Sequence, residues 1–305
     1  MSDNAIIVGN TRAGQAGDAP ALMRELAGRL AAAGTETTTL PFPEVAAEPG
    51  WRRRLDDLLD AGAKRLYVFG GDGTVRTLAT RVLGRDVALG IVALGTANLL
   101  ARDLGLPLTP ADAVAALGQG ADVRRIDVAR CNGRPFLCAA MFGMTTQLAR
   151  TREAARGVGT WRILPRLLRK AYWVLRSYPF QRVRLHLDDA PLTLTTRALV
   201  VTNNPLAPRP GLYPARPVLD GAELGVYGVT EGPLYDLPRL AMSLISGTWG
   251  EEPRVFQRTC RRARILTSRL LSTTALLDGE RERFGTPLEF DLLPRALPVL
   301  VPADS

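Results

Sequence analysis

The chain has 305 residues, of which 46% are hydrophobic and 23% charged, and it carries a formal net charge of +9. That balance is ordinary for a soluble globular protein long enough to hold two domains. No apolar run approaches the ~18 residues of a membrane span, and Met1-Ser2-Asp3-Asn4-Ala5 lacks the basic and apolar regions of a signal peptide.

In chain order, Ala5–Val8 reads as a strand that ends in the turn Gly9-Asn10-Thr11-Arg12-Ala13-Gly14. A helix over Pro20–Leu30 follows, with Leu22, Leu26 and Leu30 on one face. Then come a strand over Thr35–Leu40 and a helix over Trp51–Ala63 that carries Leu55, Leu58 and Leu59. Arg65–Phe69 is a short buried strand. It runs into Gly70-Gly71-Asp72-Gly73-Thr74, after which Val75, Leu78, Ala79 and Val82 recur at helical spacing. A second strand, Leu89–Leu94, runs into Gly95-Thr96-Ala97-Asn98, and Ala111–Leu117 closes the series as a helix. Strand and helix alternating at this rhythm predict a parallel, doubly wound sheet. The two Gly-Thr turns would lie side by side at its carboxyl edge, where such sheets bind ligands.

The first of these turns suits an anion. Its glycines allow a sharp turn and a close approach of backbone, and the helix start directs N–H groups at whatever sits there. Thr74 adds a hydroxyl, and Asp72 adds a carboxylate for a magnesium ion or a sugar hydroxyl. No Gly-Lys-Ser/Thr follows the glycines, so the loop is not a Walker A sequence.

From Val123 the texture changes. Ile126–Cys131 and Pro135–Cys138 read as a hairpin through Asn132-Gly133. Further strands are expected at Arg182–Leu187, Leu192–Val201, Glu223–Val229, Ala263–Thr267 and Thr273–Leu277, a pattern that predicts a β-sandwich. Cys131, Cys138 and Cys260 show no paired metal-ligand spacing, so they read as small core residues in a reduced, cytoplasmic setting. His186, the only histidine, reads as a solvent-facing strand residue, which leaves acid–base chemistry to carboxylates.

Charge is unevenly placed. Residues 1–125 carry 14 Lys+Arg against 14 Asp+Glu, and residues 126–305 carry 25 against 16. The stretch from Arg150 to Arg184 alone holds ten basic residues and one acidic one, Glu153. Drawn as a helix, Trp161–Tyr178 sets Leu164, Leu167, Leu168, Ala171 and Leu175 against Arg162, Arg166, Arg169, Lys170 and Arg176, with Trp173 among the basic residues. Such a face suits an anionic membrane surface. The alternative is a helix packed on its own domain with a solvated arginine face. No recognition motif accompanies the charge, so nucleic acid is not expected as a partner.

The GGDGT loop, the strand after it and the following G-T-x-N turn resemble the diacylglycerol kinase catalytic family, the lipid-kinase group that includes sphingosine and ceramide kinases. A third signature, Leu277-Asp278-Gly279-Glu280, and the tail Gly285-Thr286-Pro287…Pro298-Val299-Leu300-Val301-Pro302 extend the resemblance toward the C-terminus. It implies an N-terminal, NAD-kinase-like doubly wound α/β domain over residues 1–125 and a β-sandwich domain over 126–305, with 297–301 returning to the first. It also implies an ATP-dependent lipid kinase acting on a primary hydroxyl of a diacylglycerol- or sphingoid-like lipid, with Mg2+, peripherally associated with the membrane in the cytoplasm. A homodimer is kept as an option. By the same resemblance, Asn10, Gly70, Gly71, Gly73, Thr74, Gly95, Thr96 and Asn98 hold the nucleotide. Glu280 resembles the general base, Asp72 shares the catalytic role, and Asp127 and Asp220 belong to the metal environment.

The chain departs from the family at several points. Thr11 replaces a proline, Arg76 and Thr77 replace Asn-Glu, and Leu99 stands where an aspartate is frequent. A loop that helps hold a structural magnesium is shortened to Ala215–Gly221, and Gly143-Met144-Thr145 lacks an expected aspartate. These losses keep two alternatives open: a member that binds nucleotide or lipid without catalysis, and an NAD kinase.

Overall fold

The structure is a computed structural model, and it describes residues 3–9, 19–42, 48–143, 179–211, 215–267 and 272–303. The chain divides into two units, one of residues 1–128 with 294–305 and the other of Ala129–Leu293.

The first unit is α/β. Strands β1 (Asp3–Gly9), β2 (Thr35–Pro41), β3 (Arg65–Gly70) and β4 (Ala88–Ala93) run parallel in the order β2-β1-β3-β4. The end of the final strand, β15 (Leu288–Pro302), lies parallel to β4, with Val299 opposite Leu89. Leu66 to Gly70 and every residue of β4 are buried, which is why these strands read as unbroken apolar runs: a parallel sheet is covered on both faces. Helices α1 (Ala19–Ala32) and α5 (Pro110–Gln119) bury Met23, Leu26, Leu30, Val114 and Leu117 in one core with Ile7, Tyr67, Phe69 and Leu300. Helix α2 (Pro49–Asp60) buries Leu55 and Leu59, and α3 (Asp72–Val82) buries Val75, Leu78 and Val82. A single turn of helix, α4 (Leu99–Asp103), follows the second glycine turn. Elements fall where the pattern places them: β2 and β3 start at the expected residue, and the others one or two residues early.

The second unit is strand-rich. It contains β6 (Arg134–Phe136), β7 (Ala139–Gly143), β8 (Gln181–Leu187), β9 (Ala190–Asn203), β10 (Leu224–Thr230) and β11 (Val255–Cys260). Strands β12 (Ala263–Thr267), β13 (Ser272–Leu277) and β14 (Glu280–Gly285) complete it. Their order is β14-β13-β7-β9-β8-β12-β15, with β10 on β9 and β11 on β10. Strand β5 (Ala121–Cys131) starts five residues ahead of its expected position and leads in from the first unit.

Three two-residue hairpin turns set the registers: Asn132-Gly133, Asp188-Asp189 and Asp278-Gly279, each with positive φ at both residues. Positive φ at both positions matches the turn to the twist of the strands it joins. The core draws Phe136, Leu185, Val201, Val226, Leu277 and Phe290 from six different strands. All three cysteines are free and buried, and burial pushes the Cys131 and Cys260 thiols up to about 12, so these two fit the core role expected of them. Strands β11 and β14 and a helix, α6 (Leu237–Ser246), were not anticipated.

Candidate active site

Two glycine turns at the ends of β3 and β4 form the core of the site. Residue Gly70 ends β3, Gly71 precedes α3, and the Val75 N–H donates to the Gly71 carbonyl as the first bond of that helix. The N–H groups of Asp72, Gly73 and Thr74 therefore lie at the helix's positive end, ahead of that bond. Thr74 is buried, and its side chain occupies the space where a Cβ on Gly70 would fall.

The turns touch through glycine. A Cβ on Gly71 would stand 3.1 Å from the Gly95 Cα, and one on Gly95 would stand 2.7 Å from both the Gly71 Cα and Asn98 Oδ1. No larger residue allows backbones this close. Asn98 closes the second turn on itself: its Oδ1 accepts from the Gly95 N–H at 3.0 Å, and its Nδ2 donates to the Gly95 carbonyl at 2.9 Å. Its φ of 49° is one that asparagine tolerates better than most residues.

Asp72 joins the two turns. Its Oδ2 accepts from the Asn98 N–H at 2.9 Å and its Oδ1 from the Leu99 N–H at 2.7 Å, at the start of α4. The sequence marks Asp72 as a carboxylate for a ligand; the structure shows both oxygens bonded to backbone. The structure thus brings together Gly70, Gly71, Asp72, Gly73, Thr74, Gly95 and Asn98, with Thr96 exposed beside them. Asn10 lies outside the described residues, as does Trp161–Tyr178.

In the second unit, Glu280 is exposed and begins β14 directly after the Asp278-Gly279 turn, opposite Leu277. Its carboxylate has no partner among the described residues. Its neighbour is heavily bonded. Asp278 accepts from the N–H groups of Leu137, Cys138 and Ala139 at 2.7, 2.8 and 3.0 Å, and its own N–H donates to the Ala139 carbonyl. Sequence reasoning placed the chemistry at Glu280, and no sequence signal marked the bonds that fix its turn.

Asp127 is fully buried on β5 and accepts the Arg295 N–H at 2.8 Å, while Asp220 lies in the loop before β10. Among the described residues no group of three or more His, Cys, Asp or Glu side chains could hold a metal. Asp127 thus commits one carboxylate oxygen to a backbone N–H.

Residues 4–131 match the family model of the diacylglycerol kinase catalytic domain. The resemblance carried by the two glycine turns is borne out over this segment. The chain is also similar to a protein of Pseudomonas aeruginosa named "Probable lipid kinase YegS-like", with 41% identity over 123 residues, 38% of this chain and 40% of that one. A Klebsiella pneumoniae protein of the same name is 37% identical over 99 residues, 32% of this chain and 33% of that one. Both matches span well under half of the relatives' length. Among solved structures, a "putative diacylglycerol kinase" from Bacillus anthracis superposes with a TM-score of 0.74 at 21% identity, covering 98% of this chain and 96% of that one. At that identity the likeness is one of fold, and it supports an α/β unit followed by a strand-rich unit.

Proposed function

We propose that the protein transfers the γ-phosphoryl group of ATP to the hydroxyl of a lipid. The observation that carries this reading is the contact of the two glycine turns, locked by Asp72, on a segment matched by the diacylglycerol kinase catalytic domain. The phosphates would lie on the glycine backbones at the start of α3, where the helix's positive end favours them. Asp72 would act by holding the Gly95–Asn98 turn in reach. Magnesium would arrive with the nucleotide as its counter-ion.

Phosphoryl transfer asks the protein for positioning, charge neutralisation and a carboxylate near the attacking oxygen. In this reading Glu280 takes the proton of the lipid hydroxyl. The oxygen attacks the γ-phosphorus in line, the bond to the β-phosphate oxygen breaks, and ADP leaves; Glu280 then returns the proton to solvent. A diacylglycerol, a sphingoid base and a glycolipid each present a suitable hydroxyl. Charge supports a peripheral approach to an anionic membrane surface. The basic excess spans residues 150–184, and its described members Arg182 and Arg184 are exposed on β8. No helix among the described residues is long and apolar enough to cross a membrane.

A second reading, a protein that binds nucleotide without transferring phosphate, rests on Thr77 and Leu99, which stand where the family carries acidic side chains. One experiment separates the two. The protein is incubated with labelled ATP, magnesium and a lipid extract, and labelled lipid is sought. In the kinase reading lipid is labelled, and Glu280→Gln lowers the maximal rate by roughly a hundred- to ten-thousand-fold with ATP affinity unchanged. ATP binding with no labelled lipid supports the second reading, and full turnover in Glu280→Gln removes the general-base role.

A further inference from the structure

Arg216 is a cation on a loop that sequence reasoning singled out only for being short. It is 3% exposed, and a buried guanidinium is costly unless it is bonded. Its Nη1 donates to the Leu137 carbonyl at 2.5 Å and to the Asn203 carbonyl at 2.8 Å, and its Nη2 lies 3.2 Å from Cys138 Sγ. Asn203 reinforces the same segment: its Nδ2 donates to the Leu137 carbonyl at 3.0 Å and its N–H to the Cys138 carbonyl at 3.0 Å.

The opposite side of that three-residue segment is held by Asp278. The N–H groups of Leu137, Cys138 and Ala139 all point at its carboxylate, while their carbonyl side is held by Arg216, Asn203 and the Asp278 N–H. Residues 137–139 are thus clamped between a buried cation and a carboxylate. Glu280 follows Asp278 by two residues, across a turn in which both positions have positive φ and so little freedom to relax. A shift of the segment would move Asp278, and with it the start of β14.

We infer that Arg216 is a positioning residue for Glu280, acting through residues 137–139 and Asp278. The inference rests on the general-base reading above and names the part that aims the base. Arg216 touches no reacting atom in this scheme. Its contribution is to keep the Glu280 carboxylate at one orientation toward the acceptor hydroxyl, and misplacing a catalytic group by even 1 Å is costly.

The test is a double-mutant cycle on the full chain, with ATP, magnesium and a lipid found to be labelled. Arg216→Lys keeps a charge but loses the fork that spans two carbonyls. Arg216→Met keeps volume but leaves the Leu137 and Asn203 carbonyls without the guanidinium, which lowers stability. In whichever variant folds, as judged by its melting transition, kcat should fall about tenfold with KM for ATP unchanged. Lys should retain more activity than Met. In a Glu280→Gln background the same substitution should cost less than about twofold, because there is no base left to aim. A full tenfold loss in that background would overturn the inference while leaving Glu280 as the base. An unchanged kcat in folded Arg216 variants would do the same. If Glu280→Gln itself turns over at the parent rate, the general-base reading fails and this inference fails with it. If neither variant folds, Arg216 serves the fold alone and the inference is wrong.

Discussion

At the scale of single residues, Asp72 changes meaning once its partners are known. A carboxylate in a glycine loop reads as a ligand for a metal or sugar, yet both oxygens accept N–H groups of the second turn. Hydrogen bonds to an ionised group are worth roughly 1.5–3 kcal/mol each. Asp72→Ala should therefore lower stability by about 3–6 kcal/mol and weaken ATP binding together, read as a lower urea midpoint and a raised Kd. An ATP Kd raised at unchanged stability would instead point to direct contact with the nucleotide. The thiols make a second prediction. Burial holds the protons of Cys131 and Cys260 more tightly in the folded state, raising both from 9.0 to about 12. The unfolded chain therefore releases these protons first, and stability is unaffected below about pH 9 and falls as pH rises from there toward 12. The slope reaches about 1.4 kcal/mol per pH unit for each thiol. Urea midpoints measured from pH 8 to 10.5 should fall less steeply in the double variant Cys131→Ala/Cys260→Ala.

At the scale of elements, the glycine turns carry the prediction. A Cβ on Gly95 would press on backbone at 2.7 Å, whereas one on Gly71 would meet it at 3.1 Å. Gly95→Ala should thus weaken ATP binding more than Gly71→Ala, by calorimetry, and both should lower the melting temperature. Equal ATP affinities in the two variants and the parent would mean the turns can part without loss. These turns were readable from sequence because each joins a strand that runs apolar into the turn to a helix through residues that only close packing requires. Other elements left no such trace. Strand β11 has an irregular exposure pattern with three consecutive exposed residues, so no alternation marks it. The Asp188-Asp189 turn uses positive φ without glycine, and the first half of β5 is largely exposed and charged. The roles of Asp72 and Arg216 were hidden for another reason: their partners lie 26 and 79 residues away. Spacing rules see one helix or one hairpin at a time. Contacts between distant segments are set by the tertiary fold.

At the scale of the whole molecule, the first unit is built from both ends of the chain. Leu297, Val299 and Leu300 of β15 are almost wholly buried, and each buried side chain of this kind contributes about 1.5–3 kcal/mol. A chain ended at Leu293 would leave β4 without that neighbour and Asp127 without the Arg295 N–H it accepts. Such a chain should lose ATP binding, and limited proteolysis should cut within residues 1–128 while the intact protein resists. Retained ATP affinity in the shortened chain would show that the four remaining parallel strands suffice.

The position of β15 also has a consequence for biosynthesis. Domains usually fold in the order in which they emerge from the ribosome, at about 5–20 residues per second. Here the strand that completes the first unit is translated after the entire second unit, a wait of roughly ten to thirty seconds. Through that interval the nascent chain presents the edge of β4, a wholly apolar strand, to its surroundings. A chaperone that shields strand edges should therefore raise the yield of soluble protein. The glycine turns at the ends of β3 and β4 would reach their final geometry only once β15 has emerged and paired.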